Sequence, residues 1–79
     1  NRWVAVWTSR VQMPNFKGKH LKILYATQPE VAPPTFVFFV NHPEFVTRAF
    51  ENYLENRIGE DLGLREVPFR LVFRGRREE

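Results

Sequence analysis

The sequence predicts a small α/β domain of the two-layer, α+β kind, its elements in the order α-β-β-α-β around a three-stranded mixed sheet covered by helices on one face. Three observations predict it. Apolar residues recur at helical spacing near the N-terminus and again between positions 43 and 59. They alternate, or run without a break, in three other stretches. Proline and glycine mark the joins between these segments.

Trp3, Val4, Trp7 and Val11 fall at helical spacing, so residues 1 to about 11 read as a short amphipathic helix ended by Pro14 and Gly18. Residues 15 to 20 then read as a basic loop. From Leu21 to Gln28 the pattern is strand-like, with Leu21, Ile23 and Tyr25 on one side and Lys22, Leu24 and Ala26 on the other. The prolines between Pro29 and Pro34 predict a stiff, long-looped hairpin, with the second strand starting at Thr35. Asn41 or His42 is placed to cap a following helix whose first turn holds Pro43 and Glu44. Val46, Phe50, Leu54 and Ile58, with Ala49 and Tyr53 beside them, form its buried stripe, and Gly59 and Gly63 mark its end. The last strand runs from Val67 to Arg74, with Val67, Phe69, Leu71 and Phe73 inward and Arg70 and Arg74 outward. Because a helix joins it to the strand before, the two are expected to be parallel through a right-handed crossover.

Totals exclude several functions. A domain of 79 residues buries only about 60 to 65% of its unfolded surface, which leaves little room for a deep cleft. There is no cysteine, so disulfides, thiolate chemistry and cysteine-based zinc sites are ruled out. Two histidines, His20 and His42, are too few for a histidine-rich metal site. No apolar stretch reaches 18 residues, and no signal peptide is visible, so neither a membrane partner nor export is expected. Ser9 is the only serine, the two histidines lie in different loops, and no phosphate-cradling glycine motif occurs. The carboxylate pair Glu60-Asp61 reads as a solvated helix end. Neither an enzyme nor a small-molecule substrate is indicated. The opening Asn-Arg-Trp reads as helix interior, so the chain is expected to be a piece of something longer.

Charge is unevenly spread. Residues 1–28 carry +5, residues 29–66 carry −4 and residues 67–79 carry +2, for +3 in all. Lys17, Lys19, His20 and Lys22 lie within six residues, and Arg70, Arg74 and Arg76 follow on and after the last strand. Flexible cationic stems suit the tracking of a phosphate backbone, so these seven residues are the candidate RNA contacts. A solvated turn with no partner is the plain alternative. Trp3, Trp7, Phe38, Phe50 and Tyr53 are expected in the core. The run from Phe36 to Val40 is apolar on both sides, which one layer of helices cannot cover; Val37 and Phe39, flanked by Arg70, are the candidate interface.

The motifs Lys17-Gly18-Lys19-His20-Leu21-Lys22, Tyr25-Ala26-Thr27-Gln28, Pro33-Pro34-Thr35-Phe36-Val37, Phe39-Val40-Asn41, Tyr53-Leu54-Glu55-Asn56 and Pro68-Phe69-Arg70-Leu71, in that order, resemble the C-terminal KH-like domain of the bacterial GTPase Der, also called EngA. The resemblance spans nearly the whole chain. It implies a type II-like KH arrangement, with residues 43 to 59 forming a short helix and a longer one run together. It also implies that two GTPase domains precede the chain, and that GTP and Mg2+ belong to them, with no cofactor in this segment. The implied role is in assembly of the 50S ribosomal subunit, in the cytoplasm and on the ribosome, with the GTPase domains and 23S rRNA as partners. A purely intramolecular regulatory domain without RNA contact is the alternative. RNA-binding KH domains clamp single strands with a GxxG loop. Residues 43 to 47 contain no glycine, so that groove is not expected here.

Overall fold

A computed structural model describes residues 2–75. The first helix, α1, is Arg2–Thr8, shorter than its apolar spacing suggests. The hydroxyls of Thr8 and Ser9 turn back to the carbonyls of Val4 and Val6, and the helix stops there. Residues 15 to 20 are not a loop. They form a minimal hairpin, β1 (Asn15–Phe16) and β2 (Lys19–His20), with Asn15 opposite His20 and Phe16 opposite Lys19. Its two turn residues, Lys17 and Gly18, have φ of 54° and 80°. That pair of positive values belongs to the type I′ turn, whose twist matches that of the strands it joins. Gly18 makes it accessible, and its N–H donates to the Asn15 carboxamide at 3.1 Å.

The main sheet has the order β3 (Ile23–Val31), β4 (Pro34–Val40), β5 (Arg70–Gly75). β3 and β4 are antiparallel, β4 and β5 parallel, which puts the run Phe36–Val40 in the centre of the sheet. The connection between β3 and β4 is tighter than the prolines suggest. Val31 pairs with Pro34, leaving Ala32 and Pro33 as the turn. Pro29 is accommodated inside β3 because β3 is an edge strand and its register shifts between Thr27 and Glu30, where a missing N–H costs no ladder bond. A second shift, between Ile23 and Tyr25, breaks the alternation expected from Leu21 onward. One extra residue turns every later side chain to the other face. Leu21 and Ile23 stay on the core side, Tyr25 comes to lie opposite Phe39 on the far side, and Ala26 returns to the core beside Phe38.

After β4 the chain makes a one-turn 3-10 helix, Pro43–Phe45, and then α2, Arg48–Asp61. This is the run-together pair that residues 43 to 59 were expected to form. The cap of α2 is Thr47, whose hydroxyl accepts from the Phe50 N–H at 3.1 Å, rather than Asn41 or His42. His42 stands at the N-cap position of the 3-10 turn without a side-chain capping hydrogen bond, and Asn41 is used elsewhere.

Both helices pack on one face of the sheet. The buried cluster there is Trp7, Leu21, Phe38, Val40, Phe50, Leu54 and Ile58. Ala49, expected beside the stripe, is exposed. Trp3 is 42% exposed and lies stacked over Trp7 rather than inside the core. α1 is fastened to α2 by two polar bonds: the Tyr53 hydroxyl donates to the Trp7 carbonyl at 2.6 Å, and the Trp7 indole donates to Asp61 at 2.8 Å. Asp61 is therefore not a solvated end. Its side chain is 16% exposed and also accepts from Arg57 at 2.8 Å, which offsets the cost of a carboxylate at a helix C-terminus. Glu60 does remain in water, paired with Arg57 and Arg65. The last strand starts later than its alternation suggests, at Arg70, leaving Val67 41% exposed; Phe69 just before it packs edge-on against Phe36.

Candidate nucleic-acid and docking surfaces

Asn41 organises the first of two surfaces. Its backbone N–H donates to the Lys22 carbonyl, its side-chain oxygen accepts from the Lys22 N–H at 2.9 Å, and its side-chain nitrogen donates to the His20 carbonyl at 3.0 Å. Three bonds thus tie the segment after the β1–β2 hairpin to the end of β4. The Leu21 N–H reaches back to the Pro14 carbonyl, closing the base of the hairpin. Phe16 sits against Phe45 with ring centres 4.8 Å apart, and Phe45 against His42 at 4.6 Å. A β-carbon on Gly75 would come within 3.2 Å of the Pro43 ring, so the end of β5 is also pressed against the 3-10 turn.

These contacts gather Lys17, Lys19 and Lys22 at the end of the sheet where β4 and β5 finish, the same end at which Arg74 is the penultimate residue of β5. All four are exposed. His20 belongs to the same hairpin, where its Nε2 lies 3.0 Å from the Asn15 amide nitrogen across the two strands. Glu44 is the acidic residue among them and lies 3.5 Å from His42 Nδ1. Arg70 is not part of this group. It pairs with Thr35 at the opposite end of β5, about 13 Å from Arg74 along the strand by the usual rise per residue. Arg76 lies outside the described residues.

The second surface is the sheet face that carries no helix among the described residues. Across β4 it holds Thr35, Val37 and Phe39, none of which belongs to the helix-side core. Val37, between Thr27 and Val72, is only 7% exposed and forms the floor. Phe39 lies between Tyr25 and Arg74. Tyr25 stacks on it with ring centres 4.6 Å apart and planes 18° from parallel, and is itself 47% exposed. Arg70 and Arg74 stand along the β5 side. The interface candidates Val37, Phe39 and Arg70 thus share one face, and Arg74 links that face to the basic end. Sequence reasoning missed Tyr25 because alternation put it with Leu21 and Ile23; the signal was the conflict between that assignment and a tyrosine hydroxyl with no partner in the core. Asn41 bonds to partners nineteen and twenty-one residues away, of which the local sequence around it, suited to a helix cap, carries no sign.

No glycine-rich loop joins the 3-10 turn to α2: Val46 and Thr47 do so, and no bare backbone is offered to a nucleotide strand there. No helix among the described residues is long and apolar enough to cross a membrane.

Comparison with known proteins agrees with these features. The family described as KH-domain-like of EngA bacterial GTPase enzymes, C-terminal, matches residues 1–74. A GTPase Der from Deinococcus deserti is 52% identical over 86 residues, which take in 100% of this chain and 20% of that protein. A GTPase Der from Moorella thermoacetica is 51% identical over 82% of the chain and 15% of its own length, and one from Herpetosiphon aurantiacus is 54% identical over 80% and 14%. The chain therefore spans about a fifth or less of the length of these relatives, the part matched being the KH-like segment and not the GTPase domains. A mixed three-stranded sheet with two helices, and a sequence matched from end to end at this identity, make the chain a member of the KH-domain-like family of the C-terminus of EngA bacterial GTPases.

Proposed function

We propose that the chain is the third module of a double-GTPase-domain protein that acts in the cytoplasm in assembly of the 50S ribosomal subunit. Its helix-free sheet face docks on the GTPase domains, and its basic end contacts 23S rRNA without a GxxG loop. The nucleotide state of the GTPase domains decides whether that end is free. GTP and Mg2+ are bound by those domains, and hydrolysis is theirs.

The observation that supports this reading is the helix-free face itself. An exposed tyrosine stacked on a half-buried phenylalanine, over an apolar floor and beside two arginines, has the aromatic-and-arginine composition of an interface core. The test is a chimera in which this chain replaces the matching segment of the Deinococcus deserti GTPase Der. Phe39→Glu places a charge at a half-buried position on this face, and the melting temperature of the chimera shows whether it remains folded. The substitution is expected to expand the chimera in small-angle X-ray scattering and to change its rate of GTP hydrolysis. A folded Phe39→Glu chimera with unaltered scattering and rate would contradict docking through this face.

A further inference from the structure

We infer that Phe16 and the Lys17-Gly18 turn form a seat for one base and phosphate of single-stranded RNA, a site that rests on the rRNA-binding reading above. Phe16 is the reason. It is 46% exposed, stands on a two-residue strand outside the main sheet and is absent from the residues packed on the core. Its ring packs against Phe45, which in turn sits against His42. Phe16 and Phe45 together line a hollow of about 420 Å³ with Lys17, Lys19 and Glu44. That is within the size of small-ligand sites, roughly 300 to 1,000 Å³.

Lysine placement fits the same occupant. Lys19 is the cross-strand partner of Phe16, so the two side chains share one side of the hairpin. Lys17 occupies the turn at a φ of 54°, a conformation disfavoured for any residue with a β-carbon. A charged side chain is thus carried at the tip, where glycine or asparagine would be the easier choice. An exposed aromatic face with ammonium groups at its edge is the arrangement by which proteins hold unpaired bases and their backbone. Glu44, on the opposite wall and 3.5 Å from His42, repels phosphate and so directs it to the lysine side. Bases of a duplex are stacked on each other and cannot enter.

The experiment is fluorescence anisotropy of the chain with labelled decauridylate and with a ten-base-pair RNA duplex at low salt. Phe16→Leu keeps an apolar contact with Phe45 but offers no aromatic face; it should weaken decauridylate at least about fivefold and leave the duplex within twofold, while Phe16→Tyr retains both. Lys17→Gly suits the turn, so it should weaken both probes with the melting temperature held. Equal loss on both probes, or none, in Phe16→Leu overturns the site while leaving RNA binding in place. If the unaltered chain binds neither probe, both the site and the RNA-binding reading fall. A decaglutamate peptide competing as well as unlabelled decauridylate would assign the hollow to an acidic protein segment and overturn the nucleotide seat.

Discussion

Asn41 shows how much one side chain carries. With its carboxamide bonded at both ends, it joins the hairpin that bears three of the basic residues to the end of the central strand. Asn41→Ala removes two hydrogen bonds and leaves the Lys22 N–H and His20 carbonyl to water, because both lie near the surface. A loss of about 1 to 2 kcal/mol is expected in urea denaturation, at the ordinary value of such bonds. Amide exchange at Leu21 should rise by more than exchange in β5, because the segment between hairpin and sheet is what loosens. Lys17 is the counterpart at the hairpin tip. Its positive φ is read from structure alone; in the sequence, Lys-Gly between Phe16 and Lys19 reads equally as a loop, and the two-residue strands beside it are too short to show a period.

At the level of elements, β4 separates two functions by alternation. Phe38 faces the helices and is fully enclosed, while Phe39, its neighbour, faces the open side. Phe38→Ala should cost about 3 to 5 kcal/mol, with a cavity left beside Leu54 and Phe73. Phe39→Ala should cost well under half as much, since Tyr25 can lean into the space. Comparing urea midpoints of the two variants checks the assignment of faces; similar losses would contradict it. The α-β-β-α-β order of the main elements, apart from the β1–β2 hairpin, and the buried stripe of α2 were legible in sequence because each rests on a period or a proline. What was not legible has a common physical cause. Bulges in β3, the paired Val31 and Pro34, and the bonds of Asp61 to Trp7 depend on partners distant in the chain, and local pattern carries no mark of them. Proline-rich composition argued for a long loop, yet an edge strand with an irregular register tolerates Pro29.

Over the whole molecule, the two surfaces meet at Arg74. Among the described residues the helices lie on one face, and the other face and one end carry the two surfaces. Of the seven basic candidates, the fold brings Lys17, Lys19, Lys22 and Arg74 to one end with His20 in the hairpin between them, and sets Arg70 apart near the far end of β5. Contacts to phosphate release counterions, so the logarithm of the binding constant falls with the logarithm of salt in proportion to the number of phosphates engaged. The most direct test of the account is a filter-binding titration of the chain on 23S rRNA across salt concentrations, with and without Lys17→Ala, Lys19→Ala and Lys22→Ala combined. Binding at low salt is expected, with a steep salt slope that becomes shallower by about 2 to 3 in the triple variant, whereas Arg70→Ala changes it by less than about 1. Absence of binding at low salt, or a slope untouched by loss of the three lysines, would contradict rRNA contact through the basic end.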